Sequence, residues 1–277
     1  MLGLAAVAAV FGGTFLVVKD AVAHMPVFDF LAWRFTIATC LMILVRPRAV
    51  RTLDARGTRY GILLGLALGS AYITQTIGLQ HTPAAVSGFI TGLFVVFTPV
   101  LSWLLLRRRM PRVVWLAVAL AGVGLALITL GGFALGVGEL LTLACAVLFG
   151  LHIVGLGEWS PGRDSWALTV MQMGSVAVLT IVCALITSGI SVPRGIGEWF
   201  AILLTAVLAS AIAYAVQTWA QSRLSATQTA VILTLEPVFA AAFAVVLGGE
   251  RLGVIAVVGG ALVVAAMYLV QLRSPSG

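Results

Sequence analysis

Ten stretches of about 20 mostly apolar residues follow one another along the chain, at roughly 2–20, 27–45, 60–80, 84–106, 112–131, 136–156, 165–187, 197–218, 225–248 and 252–271. Each is long enough for an α-helix to cross the hydrocarbon core of a bilayer. The runs are continuously apolar rather than alternating, which argues for helices over the short strands of a membrane β-barrel. Little chain remains between them, so no separate soluble domain is expected. Apolar types make up 61% of the 277 residues and charged types only 9%. Soluble domains carry about 25% charged residues, and a water-soluble globular fold is excluded.

The formal net charge is +7. In a soluble chain that excess would suggest nucleic acid, but here there is too little polar surface for such a module, and no nucleic-acid partner is expected. Arginine placement instead sets orientation, because loops rich in Lys and Arg stay cytoplasmic. Arg46, Arg48, Arg51, Arg56 and Arg59 fall in one loop and Arg107, Arg108, Arg109 and Arg112 in another. With Arg163, Arg223 and Arg273 they share one side if ten spans alternate. Lys19, Arg194 and Arg251 take the other. The bias predicts a multi-pass protein of the cell's inner (plasma) membrane with both termini cytoplasmic. The first apolar run has no basic region before it and is expected to be a retained span. Cys40, Cys145 and Cys183 all lie in apolar runs without CxxC spacing, so neither a disulfide nor a metal site is expected. No cofactor is expected either.

A shift of 138 residues superimposes features of the two halves without gaps. Phe11-Gly12 falls on Phe149-Gly150, Ser87 on Ser225, Thr91 on Thr229, Thr98-Pro99 on Glu236-Pro237, and Gly122 on Gly260. Each half holds five spans, and five is odd, so the second half enters from the opposite side. The arginine clusters of the first half have almost no counterpart in the second, as opposite orientation requires. The expected architecture is an all-α membrane protein of ten transmembrane helices in two inverted-topology five-helix repeats, residues 1–133 and 134–277. Inverted repeats mark many secondary transporters, with the binding site near the midplane.

Polar residues inside spans are costly and tend to face the bundle interior. Helical spacing groups them into faces. Ser87, Thr91, Thr98 and Ser102 make one stripe in the fourth span, and Ser225, Thr229 and Glu236 its mirror in the ninth. Ser210, Tyr214, Gln217 and Gln221 share a face of the eighth, and Tyr72 and Thr76, with Gln75 beside them, a face of the third. Cys145, Phe149 and His152 in the sixth mirror Val7, Phe11 and Thr14 in the first. One Ser or Thr alone is usually bonded to its own helix or to a neighbour. The mirrored stripes together predict a central cavity lined by spans 1, 3, 4, 6, 8 and 9. Its expected substrate-binding residues are Thr14, Tyr72, Gln75, Thr76, Ser87, Thr91, Thr98, His152, Tyr214, Gln217, Thr229 and Glu236.

Glu236 is an acid near mid-span directly before Pro237. It either carries a proton, pairs with a substrate amine, or fixes a local kink. His152 is a second proton-coupling candidate, though packing explains a lone His as well. Pro99 and Pro237 are hinge candidates. Arg34, inside the second span, is expected to snorkel or to pair with Asp29 or Asp20 rather than to anchor a substrate carboxylate. Lys19 and Asp20 should mark an interface. The stripes Gly61-Gly65-Gly69 and Gly88-Gly92 should bring helices together within the bundle.

Gly12-Gly13, Phe15, Lys19, Pro26 and Arg34 resemble the opening of the EamA-type transporters of the drug/metabolite transporter superfamily. So do Gln75, Gly78-Leu79 and Thr82-Pro83-Ala84, and above all Glu236-Pro237-Val238 with Leu247-Gly248-Gly249-Glu250. The extra Gly249 and the Gly157 at the position that mirrors Lys19 depart from the pattern. The resemblance spans nearly the whole chain. It implies ten helices in two inverted halves and movement of small metabolites or amino acids, often outward. No Walker motif is present, which leaves secondary or facilitated transport. Hydroxyls, amides and aromatic rings together suit amino acids, with export of neutral or aromatic ones the leading expectation and nucleosides or drug-like cations the alternative. An intramembrane enzyme would need Ala85-Val86-Ser87-Gly88 with His152 as base; the motif lacks its first Gly, and the repeat is left unexplained. A channel is the remaining alternative. Small-molecule substrate and lipid bilayer are the expected partners.

Overall fold

The computed structural model describes residues 2–107, 112–130, 136–187, 189–223, 233 and 235–272. In chain order the elements are α1 (Leu2–His24), α2 (Val27–Val45), a 3-10 turn (Ala49–Thr52), α3 (Ala55–His81), α4 (Ala84–Gly92), α5 (Phe94–Leu106), α6 (Arg112–Leu130), α7 (Val137–Trp159), α8 (Ser165–Thr187), α9 (Ile196–Leu204), a π-helical stretch (Thr205–Ile212), α10 (Ala213–Gln221), α11 (Leu235–Val246) and α12 (Val254–Leu272). No strand occurs among the described residues. Seven helical runs are long and apolar enough to cross a membrane, and three shorter apolar helices lie at Arg112–Leu127, Leu235–Val246 and Val254–Leu269. Large apolar side chains such as Leu44, Leu104, Leu116, Ile186 and Phe200 are exposed, as a surface solvated by lipid requires.

Side chains cap the starts of two helices, and α3 begins five residues before its apolar window. α3 begins at Ala55 because Asp54 accepts the Gly57 amide at 2.7 Å. α8 begins at Ser165 because Asp164 Oδ1 accepts the amides of Trp166 and Ala167 at 3.0 and 3.1 Å. A cap of this kind is worth about 1 kcal/mol. The apolar run 84–106 is not one helix. It breaks at Leu93, whose amide bonds back to Ile90 at 3.1 Å. Pro99 lies inside α5, and Pro237 lies in α11; a proline cannot donate to the carbonyl four residues back.

Small residues decide which helices touch. α3 lies along α7 and α8, α8 along α2, α1 along α11, α11 along α4, α5 along α7, and α6 along α12. A Cβ on Gly65 would stand 2.5 Å from Ser175 Cβ and 2.6 Å from the Gln172 carbonyl, and Gly61 and Gly69 meet Met171 and Leu179 in the same seam. Gly12 seats α1 on α11, where a Cβ would stand 2.7 Å from the Glu236 carbonyl, and Gly88 seats α4 on Ala240. Both glycine stripes therefore pack inside the bundle.

The Leu247-Gly248-Gly249-Glu250 motif closes one end. Leu247 and Gly248 bond back to Phe243, and Gly249 takes a positive φ of 65°. That turn aims Glu250 at the start of α4, where its carboxylate accepts the Ala84 and Ala85 amides at 2.7 and 3.1 Å and meets Lys19 at 3.3 Å. At the opposite end Arg46 pairs with Asp164 at 2.7 Å.

Replacing Gly65 by Ala should lower the melting temperature of the detergent-solubilised protein, by the equivalent of about 1–3 kcal/mol for overpacking. Gly122→Ala, where a Cβ meets nothing within 4 Å, should leave it unchanged or slightly raised, since alanine is the better helix former.

Candidate functional site: a central cavity

Four helices present one face each to a common space. α1 contributes Phe11, Thr14, Phe15 and Val18; α3 contributes Tyr72, Gln75, Thr76 and Leu79; α7 contributes Phe149, His152 and Ile153; α10 contributes Tyr214 and Gln217. The steps of 3 and 4 residues are those of one helical face. Phe94, Leu233, Glu236 and, from α2, Arg34 complete the lining. The cavity is narrow, about 40 Å³ in volume. At 10–15 Å³ per water, this is room for roughly three waters.

Of the residues expected at the site, Thr14, Tyr72, Gln75, Thr76, His152, Tyr214, Gln217 and Glu236 line this cavity. Ser87, Thr91 and Thr98 do not. Thr98 donates to the Phe94 carbonyl of its own helix at 2.7 Å, and Thr91 accepts from Gln75 at 3.3 Å. Ser87 is fully buried with its hydroxyl unpaired. The break at Leu93 separates Thr98 from Ser87 and Thr91, which precede it on α4 and are fully buried there. Thr229 and Ser225 lie outside the described residues.

Several lining groups are already engaged. Thr14 donates to the Phe11 carbonyl at 2.7 Å. His152 Nε2 lies 2.7 Å from Gln172 Oε1, and Gln217 donates to Gln221 at 3.2 Å. The Tyr72 and Tyr214 hydroxyls bond each other at 2.9 Å in the middle of an aromatic chain that runs from Phe35 through Tyr72 to Phe149 and from Tyr214 to Phe11. Glu236 is 7% exposed and has no hydrogen-bond partner among the described residues.

Arg34 corrects the sequence reading. It is 2% exposed, so it does not snorkel, and it pairs with no acid among the described residues. Its Nε donates to Ser210 at 2.8 Å, and its guanidinium carbon stands 4.6 Å from the Tyr72 ring centre and 4.9 Å from that of Phe35. Five residues along a helix turn a side chain roughly 140° away at 3.6 residues per turn, so Asp29 faces elsewhere. It accepts the Ser191 amide at 3.0 Å and the Ser191 hydroxyl. Ser210 sits in the π-helical stretch, a winding frequent at functional sites. Sequence reasoning missed the roles of Ser210 and Glu250, because their partners are far away in the chain.

A polytopic helical bundle around a narrow central cavity lined by both aromatic and polar side chains is the architecture of a membrane protein that handles small molecules. The EamA-like transporter family matches residues 1–130 and again residues 136–272, and the chain belongs to that family. It is 34% identical over 272 residues to an uncharacterized transporter of Archaeoglobus fulgidus, covering 98% of this chain and 85% of that one. It is 28% identical over 249 residues to a probable terminal-alkyne amino-acid exporter of Streptantibioticus cattleyicolor, covering 87% and 82%. It is 27% identical over 252 residues to the pseudopaline exporter CntI of Pseudomonas aeruginosa, covering 90% and 87%.

Removing one hydroxyl of the tyrosine pair leaves its buried partner unsatisfied, a cost of about 1–3 kcal/mol. Tyr72→Phe and Tyr214→Phe should each lower the melting temperature. The double variant should lose less than the two losses added, and a melting-temperature double-mutant cycle reads the difference.

Proposed function

We propose that the protein is a secondary or facilitative exporter of neutral or aromatic amino acids, working by alternating access around the central cavity. The observation that carries this reading is the composition of the lining: phenyl rings from Phe11, Phe15, Phe94 and Phe149 beside the amides, hydroxyls and charges of Gln75, Gln217, Tyr72, Arg34 and Glu236. Rings hold an apolar side chain, and the polar groups fix the orientation of a polar head. That one relative is named a probable terminal-alkyne amino-acid exporter supports the substrate class.

The architecture we infer is ten spans in two inverted halves, residues 1–133 and 134–277, both termini cytoplasmic in the inner membrane. Three observations support the repeat. The family matches the chain twice. Lining residues correspond under the 138-residue shift: Phe11 with Phe149, Thr14 with His152, Phe15 with Ile153, Thr76 with Tyr214, and Leu79 with Gln217. Close contacts correspond as well, since Gly12 meets the Glu236 carbonyl and Phe239 while Gly150 meets Thr98 and Leu101. In this reading Pro99 and Pro237 are the hinges, and Glu236 or His152 carries any coupled proton.

Purified protein in liposomes preloaded with a labelled amino-acid mixture should release neutral and aromatic members selectively. An inward proton gradient that speeds wild-type release, and leaves Glu236→Gln release unchanged, identifies Glu236 as the coupling group. Absence of release from vesicles holding folded protein contradicts the reading and brings nucleosides and drug-like cations forward for the same assay.

A further inference from the structure

The cavity contains a cationic and an acidic side chain with no counter-charge among the described residues. Arg34 comes from α2 and Glu236 from α11, and both line the same space. The ion pairs among the described residues are Lys19 with Glu250 and Arg46 with Asp164, both at the ends of the bundle. Arg34 is held by neutral groups alone, Ser210 through Nε and the faces of Tyr72 and Phe35. Glu236 has no hydrogen bond from any described residue. Their counterparts under the 138-residue shift are the neutral Gln172 and Thr98, so the charges are placed once each and not by repetition.

Burying an unpaired charge is expensive. Two such groups that share a cavity without pairing are offset together by one ligand that carries both opposite charges. A carboxylate matches the planar fork of a guanidinium, and an ammonium matches a carboxylate. A purely cationic solute would leave Arg34 facing a like charge, and a purely anionic one would do the same at Glu236. The narrowness of the cavity in this conformation sets a small solute, and Phe11, Phe15, Phe94 and Phe149 supply an apolar wall beside the two poles.

We propose that Arg34 and Glu236 are the two poles of a zwitterion site: Arg34 takes the carboxylate of an amino acid, Glu236 takes its ammonium, and the phenyl wall takes the side chain. This assignment rests on the amino-acid reading above and adds to it which residue reads which end.

The test compares the affinities of three ligands for detergent-solubilised protein: phenylalanine, 2-phenylethylamine (no carboxylate) and 3-phenylpropanoate (no ammonium). Wild type should bind phenylalanine at least ten-fold more tightly than either analogue. Arg34→Gln should lose at least ten-fold for phenylalanine while holding or gaining affinity for 2-phenylethylamine. Glu236→Gln should lose a similar factor while holding or gaining affinity for 3-phenylpropanoate. Melting curves establish that each variant is folded. Where one is not, the wild-type comparison of the three ligands decides alone, and equal affinities overturn the assignment. Wild type that exports phenylalanine, with variants that weaken all three ligands alike or none, overturns the pole assignment and leaves the transport reading standing. Wild type that neither binds nor exports phenylalanine overturns both.

Discussion

Hydrocarbon offers no hydrogen bonds, and that constraint organises this protein. Every backbone group inside the bilayer must be satisfied within its own helix, and every polar side chain must find a partner or face a polar space. Most in this bundle find a partner. Thr98 and Thr205 bond their own helices, Tyr72 bonds Tyr214, His152 bonds Gln172, and Asp29 bonds the backbone near the end of α8. What remains without a charged partner at the centre is Arg34 and Glu236. Among the described residues these are the two charged groups of the cavity left without a counter-charge, and a charge left unmatched is what a ligand can resolve.

The surrounding bundle holds that space by close packing elsewhere. Glycines on α1 and α3 bring backbones within contact of α11 and α8, and dispersion between interlocked helices replaces the hydrophobic drive that lipid does not supply. Glu250 ties α1, the start of α4 and the α11–α12 connection into one cluster. The cavity thus lies between seams that are tight, and its narrow waist follows from rings packed edge to face around the tyrosine pair.

Much of this was legible in the sequence. Apolar run length located the helices, and the spacing of Tyr72, Gln75 and Thr76 and of Phe149 and His152 placed them on cavity faces. The glycine stripes announced close helix contacts. What failed did so for physical reasons. The 84–106 run looked continuous, and the break at Leu93 puts Thr98 on a separate helix from Ser87 and Thr91; those two were placed at the cavity by a spacing that does not say which helix lies opposite, and Thr91 meets Gln75 instead. Arg34 was assigned to acids near it in the chain, although its partner Ser210 is 176 residues away. Glu250 was recognisable as part of a motif, but its task of capping α4 depends on a contact 166 residues distant. Periodicity reads a single helix well; it carries no information about which helix lies opposite.

The central claim is that the space between Thr76 and Gln217 is the path of the substrate. Replacing Cys40, Cys145 and Cys183 and introducing a single cysteine at Thr76 allows a direct measurement with a membrane-impermeant thiol reagent. The account predicts that the cysteine reacts and that phenylalanine slows the reaction in proportion to its occupancy of the cavity. A cysteine that reacts from neither side of the membrane, or one that reacts at the same rate with saturating phenylalanine, would contradict it.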